Sequence, residues 1–302
     1  STPSTPYSIP WANSLFEDNA EFALGIHISY KQKKERIKHI MEETINSVEI
    51  DVKDLFTKWL ENENDFEITN KIKSELKGKT LPKELNDLID YVPARTVWAI
   101  GGDGWAYDIG YGGLDHVLHS NENIKVLVLD TEVYSNTGGQ ASKSTKLGAV
   151  AEFANFGKRT AKKDLFRIVS CIPNCYVASI SLGANMMQAI KAFNEAEAHN
   201  GPAIIIAYSP CIEHGIKTGM THSSEEQKLA VECGYTILMR HDGETHIDSK
   251  EPNFDKYETF LDNEVRFNAL KIKDKDLANK VLEEQKENAI KRYEYYKKIT
   301  TK

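Results

Sequence analysis

Gly101-Gly102-Asp103-Gly104-Trp105 and Asp130-Thr131-Glu132-Val133-Tyr134-Ser135-Asn136-Thr137-Gly138-Gly139-Gln140 decide the fold of this chain. The first follows the apolar run Thr96-Val97-Trp98-Ala99-Ile100, the second Ile124-Lys125-Val126-Leu127-Val128-Leu129. Each run reads as a buried parallel strand ending in a polar, glycine-rich turn. Between them Tyr107, Tyr111, Leu114, Val117 and Leu118 recur at helical spacing. Ligands in open α/β sheets sit just beyond the carboxyl ends of strands. Two such ends, one helix apart, therefore face a shared ligand.

The residue types there suit a divalent cation held against a diphosphate. Mg²⁺ takes oxygen ligands in near-octahedral geometry and keeps some of them on phosphates. Asp103 offers a carboxylate and Thr131 a hydroxyl. Val133 offers a backbone carbonyl if the chain turns sharply after Thr131. Gly101, Gly102 and Gly104 let the backbone approach phosphate oxygens with no Cβ in the way. A helix beginning near Trp105 would aim free N–H groups at the same anion. Asp after Gly at a strand–helix junction also serves as a plain N-cap; the second polar turn favours the ligand reading.

Outward from these turns, strands and helices alternate: Thr96–Ile100, helix, Ile124–Leu129, helix near Gly148–Phe156, Tyr176–Ser181, helix Ala184–His199, Ala203–Tyr208, with a later strand Tyr235–Arg240. The pattern predicts an α/β fold, a mostly parallel sheet with helices on both faces. Asp242 to Asn253 reads as loop, and Asp274 to Lys298 as a long charged helix. Upstream, Ser1 to Pro10 should be extended, followed by helices at Ala12 to Ile26, Ser29 to Asn46, Val52 to Leu60, Ile68 to Leu76 and Pro82 to Tyr91. The expected division is an arm with helices packing on the sheet (1–92), an α/β core (93–245) and a loop with a helical tail (246–302), together one structural domain.

The chain has 302 residues, 40% of them hydrophobic and 27% charged, enough for a substantial core. Its formal charge of −7 argues against nucleic acid, whose phosphates need a basic face. No apolar run approaches the roughly 20 residues of a membrane span. Four cysteines, Cys171, Cys175, Cys211 and Cys233, form neither a disulfide framework nor a Cys-x-x-Cys pair. Cys171, Cys175 and Cys233 read as core or loop thiols.

At the two turns the chain resembles the thiamine diphosphate enzymes, whose signature is Gly-Asp-Gly followed one βα unit later by an Asn-containing turn. It resembles more closely the C-terminal thiamine diphosphate-binding region of the pyruvate:ferredoxin (flavodoxin) oxidoreductases. The matching stretches are Trp11 to Phe22, Ile100 to His116, Asp130 to Ala141, Ser209-Pro210-Cys211-Ile212-Glu213-His214-Gly215 and Arg292 to Lys298. Thr131 stands where thiamine enzymes commonly have Asn; in the family that the chain resembles, the turn with Thr is the ordinary form. The resemblance implies oxidative decarboxylation of pyruvate to acetyl-CoA and CO₂, with coenzyme A as co-substrate and electrons passing through 4Fe–4S clusters to ferredoxin or flavodoxin. It also implies that thiamine diphosphate is held by Gly102, Asp103, Gly104, Trp105, Thr131, Val133, Asn136 and Gly138. Asp103, Thr131 and Val133 would bind Mg²⁺, and Cys211 would be one ligand of a 4Fe–4S cluster whose other cysteines lie upstream. Family members are much longer, and this sequence opens without Met. It is therefore expected to be an excised piece, inactive alone, whose partners are the remaining domains in a homodimer located in the cytoplasm or an organelle of an anaerobic eukaryote.

By the resemblance Asn136 points into the active site near the bound 2-oxo acid, the reading its motif position favours; the alternative is an Asx-turn residue that stabilises the loop. Gly138 and Gly139 provide backbone geometry, and Gln140 reads as loop. His116 and His119 have metal-pair spacing but no third ligand, so they read as solvent-facing or packing. His214 would lie near the cluster and the thiamine. Glu17 and Asp18 tether a helix to the sheet. Lys143 and Lys146 either neutralise phosphate or sit in solvent. Rival readings are an enzyme for another 2-oxo acid, a pyruvate:NADP⁺ oxidoreductase, and a non-catalytic scaffold of the same fold.

Overall fold

The computed structural model describes residues 12–300; the arm of Ser1 to Pro10, and Trp11, lie outside them. The chain divides into two compact units, Ala23–Val97 and the remainder.

The smaller unit is helical. α1 is Asn19–Thr44, α2 Ile50–Glu61, α3 Phe66–Leu76 and α4 Lys83–Asp87, followed by a 3₁₀ turn at Ile89–Tyr91. Where the sequence reads as two helices, α1 runs unbroken. Gly25 is the only helix breaker in the junction between them, and a single Gly costs a helix about 1 kcal/mol relative to Ala, too little to interrupt it. Asp65 caps α3 by accepting from the Ile68 N–H at 2.8 Å. On α2, Val52, Phe56 and Trp59 recur on one face and are buried with Ile37, Met41 and Ile72. The Trp59 indole N–H donates to the Val92 carbonyl at 2.8 Å, so this aromatic is buried with its polar atom satisfied.

In the larger unit follow β1 Val97–Gly102, α5 Tyr111–His119, β2 Ile124–Asp130, α6 Leu165–Val169, β3 Tyr176–Ile180, α7 Met186–Ala198 and β4 Ala203–Tyr208. After these come α8 Ser223–Glu232, β5 Met239–His241, β6 Thr245–Ile247, α9 Tyr257–Asn263, α10 Val265–Lys273 and α11 Lys275–Thr300. The sheet has six strands in the order β1-β2-β4-β3-β5-β6. β4 lies parallel between β2 and β3. Asp130 is in register with Tyr208, so the turn after β2 and the Ser209–Gly215 segment emerge side by side. The Ser209 N–H donates to the Asp130 carbonyl at 3.0 Å. Among the described residues no helix is long and apolar enough to cross a membrane.

Three segments differ from the sequence expectation. The one expected as helix at Gly148–Phe156 is irregular. Gly148, Phe153 and Gly157 have positive φ, and the backbone bonds outward: Glu152 N–H to the Gly139 carbonyl, Val150 N–H to Arg266 and Gly148 N–H to Lys158. It braces the turn after β2 instead of closing its own helical bonds. The strand expected at Tyr235–Arg240 forms only from Met239, and it is antiparallel to β3; Tyr235 is instead buried among Tyr257, Phe260 and Phe267 of the following helices. Part of the expected loop Asp242–Asn253 is β6, which pairs antiparallel with β5. Asp242-Gly243, with Gly243 at φ +103°, is a hairpin signal that the sequence already carried.

β5 is anchored by Arg240, whose guanidinium reaches Asp248 at 2.8 Å and Glu195 at 2.7 Å. Burial works against the charged form of Asp248, but hydrogen bonds from Arg240 and Gln188 outweigh it and hold the carboxyl below its usual range. A depressed carboxyl contributes stability above its unfolded pKa and loses it as the pH falls through the folded one. Arg240→Met should therefore cost about 1.5–3 kcal/mol at pH 7. Urea midpoints at a series of pH values should show that gap narrowing below about pH 4; a gap constant with pH would contradict the account.

Candidate cofactor and metal site

Asp103 directly follows β1 and opens a short π-helical turn, Gly104–Ile109, in which the Gly110 N–H reaches back to the Trp105 carbonyl at 2.9 Å. α5 proper begins only at Tyr111, so the helix start lies later than the sequence suggested. Close packing at the turn leaves no room for a side chain on Gly104 or Gly101. A Cβ on Gly104 would sit 2.4 Å from the Tyr134 ring, and one on Gly101 2.4 Å from the Trp105 ring. Trp105 itself is fully buried. Asn19 holds the start of α1 to the sheet, its amide donating to the Ile100 carbonyl at 3.0 Å.

The turn after β2 meets Asp103. The Thr131 hydroxyl donates to Asp103 Oδ1 at 2.9 Å and lies 3.1 Å from the Val133 carbonyl and 2.6 Å from Ser135 Oγ. The Ser142 hydroxyl donates to Asp103 Oδ2 at 2.5 Å. Burial, and then the nearby Asp130 carboxylate, push the Asp103 carboxyl up to about 7, against the hydrogen bonds from Ser142 and Thr131. A buried carboxylate with a like charge beside it and converging neutral oxygens is short of positive charge. Those oxygens are the donor set a hard divalent cation takes. Among the described residues no three His, Cys, Asp or Glu side chains are grouped for a metal; this site has one carboxylate, supplemented by hydroxyl and carbonyl oxygens.

The shape of the turn comes from residues that sequence reasoning missed. Glu132, between Thr131 and Val133, has φ +60°, a conformation costing a non-glycine residue of order 1–3 kcal/mol. Its side chain is buried, with Lys162 Nζ at 3.0 Å and Arg266 at 2.9 Å, and it accepts a hydrogen bond from the Tyr235 hydroxyl. Lys162 also pairs with Asp130 at 2.5 Å, and Tyr107 and Ser144 donate to the same carboxylate. Burial raises the pKa of Glu132, but Lys162 and Arg266 outweigh it and hold the carboxyl well below its usual range. Arg266 lies 2.7 Å from Glu264 as well. Only the acidic residues among these stood out locally; their cations come from distant segments.

The other candidates fall as follows. Asn136 is exposed in the 3₁₀ turn Ser135–Thr137. Gly138 and Gly139 both have positive φ, and a Cβ on Gly139 would come 2.8 Å from the Glu213 carboxylate. Gln140 exchanges hydrogen bonds with Thr137. Cys211 is partly exposed just after β4, and buried His214, three residues on, lies 2.7 Å through Nε2 from the Thr131 carbonyl. The Cys211 turn is thereby linked to the Thr131 turn. Burial pushes the Cys175 and Cys233 thiols up to about 12, in keeping with packing roles, while Cys171 is exposed. His119 faces Asp115 at 3.6 Å. Lys143 is exposed and paired with Asp108. Lys146 fits neither expectation: it is buried and donates to the Tyr235 carbonyl at 3.0 Å. A cavity of about 360 Å³ is lined by Tyr107, Asp130, Glu132, Lys146, Lys162 and Arg292 among others, but by none of Asp103, Thr131 and Val133. It is therefore separate from the oxygen cluster.

Residues 86–207, which hold both turns, strands β1 to β3 and all but the last residue of β4, match the family of the thiamine pyrophosphate enzymes' C-terminal TPP binding domain. The whole chain is similar to longer proteins. It is 42% identical to the pyruvate-flavodoxin oxidoreductase of Klebsiella pneumoniae, with 99% of this chain and 28% of that protein covered. Against the pyruvate:ferredoxin oxidoreductase of Moorella thermoacetica the figures are again 42%, 99% and 28%. Against the mitochondrial pyruvate dehydrogenase (NADP⁺) of Euglena gracilis they are 40%, 96% and 17%. The chain resembles these pyruvate oxidoreductases along nearly its whole length and spans little more than a quarter of the length of the first two.

Proposed function

We propose that this chain supplies the thiamine diphosphate- and Mg²⁺-binding part of an enzyme that oxidatively decarboxylates pyruvate to acetyl-CoA and CO₂. The observation that carries the reading is the convergence of Asp103, Thr131 and Val133 at the carboxyl ends of neighbouring strands. Those three residues would hold the cation. Gly102, Gly104, Trp105 and Gly138 would line the cofactor through their backbone, and exposed Asn136 would face the substrate. Cys211 would ligate a 4Fe–4S cluster together with cysteines from elsewhere in the protein. When bound, the cofactor supplies the carbanion chemistry that the side chains lack. The protein's own residues hold the cation, orient the diphosphate and bring the cluster's turn against the cofactor's turn through His214. Coenzyme A, a second copy of the protein, and ferredoxin or flavodoxin are the further partners, in the cytoplasm or an organelle of an anaerobic eukaryote. Residues 93–245 would be the cofactor-binding core, flanked in sequence by 1–92 and 246–302.

A second reading has its own support: the Euglena relative is named for NADP⁺ as acceptor. Turnover of the full-length protein with pyruvate, 2-oxoglutarate or 2-oxobutyrate, each with coenzyme A and with ferredoxin, flavodoxin or NADP⁺, separates the cases. The expected result is acetyl-CoA formation from pyruvate that depends on thiamine diphosphate and Mg²⁺. Calorimetry showing no thiamine diphosphate binding in the presence of Mg²⁺ would leave only a scaffold of the same fold.

A further inference from the structure

The oxygens assigned to the cation belong to a turn whose shape is set from its buried side. Thr131 lies between two carboxylates that face the interior, Asp130 and Glu132. Lys162 bridges them, at 2.5 Å from Asp130 Oδ2 and 3.0 Å from Glu132 Oε1. Arg266 holds the other Glu132 oxygen at 2.9 Å. Glu132 therefore keeps a left-handed backbone, φ +60°, that a non-glycine residue adopts only when its surroundings enforce it.

We propose that Lys162 and Glu132 are positioning residues for the cation site: by tying together the residues on either side of Thr131, they aim the Thr131 hydroxyl and the Val133 carbonyl at the ion. The inference rests on reading Asp103, Thr131 and Val133 as the cation's ligands. Neither positioning residue touches the ion; both act through the turn.

The sign of the Lys162 effect separates positioning from simple electrostatics. Lys162 is a cation close to where a dication would sit, so through space its charge repels the metal and its removal should tighten binding. If its role is to shape the turn, removal should weaken binding despite that repulsion. Supporting groups around metal ligands typically change affinity 10–100-fold when lost.

The test uses the full-length protein with thiamine diphosphate, measuring Mg²⁺ by calorimetry and Mn²⁺, as a spectroscopic substitute, by electron paramagnetic resonance. Lys162→Gln is expected to raise the metal dissociation constant roughly 10–100-fold and to broaden the Mn²⁺ spectrum. Unchanged or tighter binding would overturn the proposal. If that variant does not fold, Lys162→Arg decides, because it keeps the charge. Its longer, planar guanidinium places its donors differently from the compact ammonium, so the two carboxylates and the turn between them must shift; weaker binding supports positioning and unaltered binding refutes it. Phe260→Leu loosens the same core beside Tyr235 without touching the turn. Binding there should stay within about twofold, and a loss equal to that of Lys162→Gln would reduce the effect to general softening. Asp103→Ala separates the two claims. If it retains the metal, the site reading fails and takes this inference with it. If it loses the metal while Lys162→Gln does not, only the positioning claim is lost.

Discussion

Asp103→Ala in the full-length protein is expected to abolish Mg²⁺-dependent retention of thiamine diphosphate, raising the metal dissociation constant by more than about 100-fold. That bound follows because groups that merely support a ligand already account for roughly 10–100-fold, and Asp103 is the one carboxylate in the Asp103–Thr131–Val133 cluster. The conservative Asp103→Asn should show a second effect of opposite sign. In the cofactor-free protein the charged carboxylate is disfavoured by burial and by Asp130, so its pKa lies above the unfolded value of about 3.9. An acid whose pKa is raised on folding contributes stability below its unfolded pKa and loses it as the pH rises through the folded one. An uncharged amide in its place carries no such liability. Cofactor-free Asp103→Asn should therefore melt above the unmodified protein at pH 8, and the advantage should vanish near pH 4. Loss of metal binding together with a gain in cofactor-free stability would mark Asp103 as a residue kept for its ligand. Undiminished metal retention in Asp103→Ala would remove the basis of the site.

Arg266→Met should be the most damaging single change to the fold among those considered. Arg266 is buried between Glu132 and Glu264, 2.9 and 2.7 Å away. Without it two carboxylates are left in the core: Glu132 keeps Lys162 and the Tyr235 hydroxyl, and Glu264 has His214 Nδ1 at 3.5 Å. Breaking a buried ion pair from one side typically costs about 3–5 kcal/mol, because the surviving charge has no partner and no water. Chemical denaturation should show a loss of about that size. Changing Glu132 and Glu264 to Gln in the same chain should recover much of it, since neutralising every member of a buried network is far less costly than orphaning one. A loss below about 1 kcal/mol for Arg266→Met would mean that water or a neighbouring group satisfies the carboxylates.

The two changes act on opposite sides of one turn. Asp103 and Thr131 contribute to the face proposed to meet the cofactor, while Glu132 and Arg266 set its shape from within the core. His214 joins a third segment to it by its hydrogen-bonding distance to the Thr131 carbonyl, bringing the Cys211 turn alongside.

The local pattern of the chain determined the parallel strands and the two turns that carry the oxygens proposed for the cation. Ala203–Tyr208 and Val126–Leu129 are continuous apolar runs bounded by polar turns, and their period and termination are set within a few residues. Asp103, Thr131 and Val133 were legible for the same reason: each lies at or just beyond a strand end. Tertiary structure alone decided the rest. Gly148–Phe156 reads as helix by composition, yet its backbone bonds reach out to Gly139, Lys158 and Arg266, the last of which no local window contains. Glu132 reads as an ordinary turn glutamate until Arg266, far along the chain, supplies the charge that permits its burial. A strand is specified by the residues that form it, whereas a buried charge is specified by its partner, and only the folded chain brings the two together.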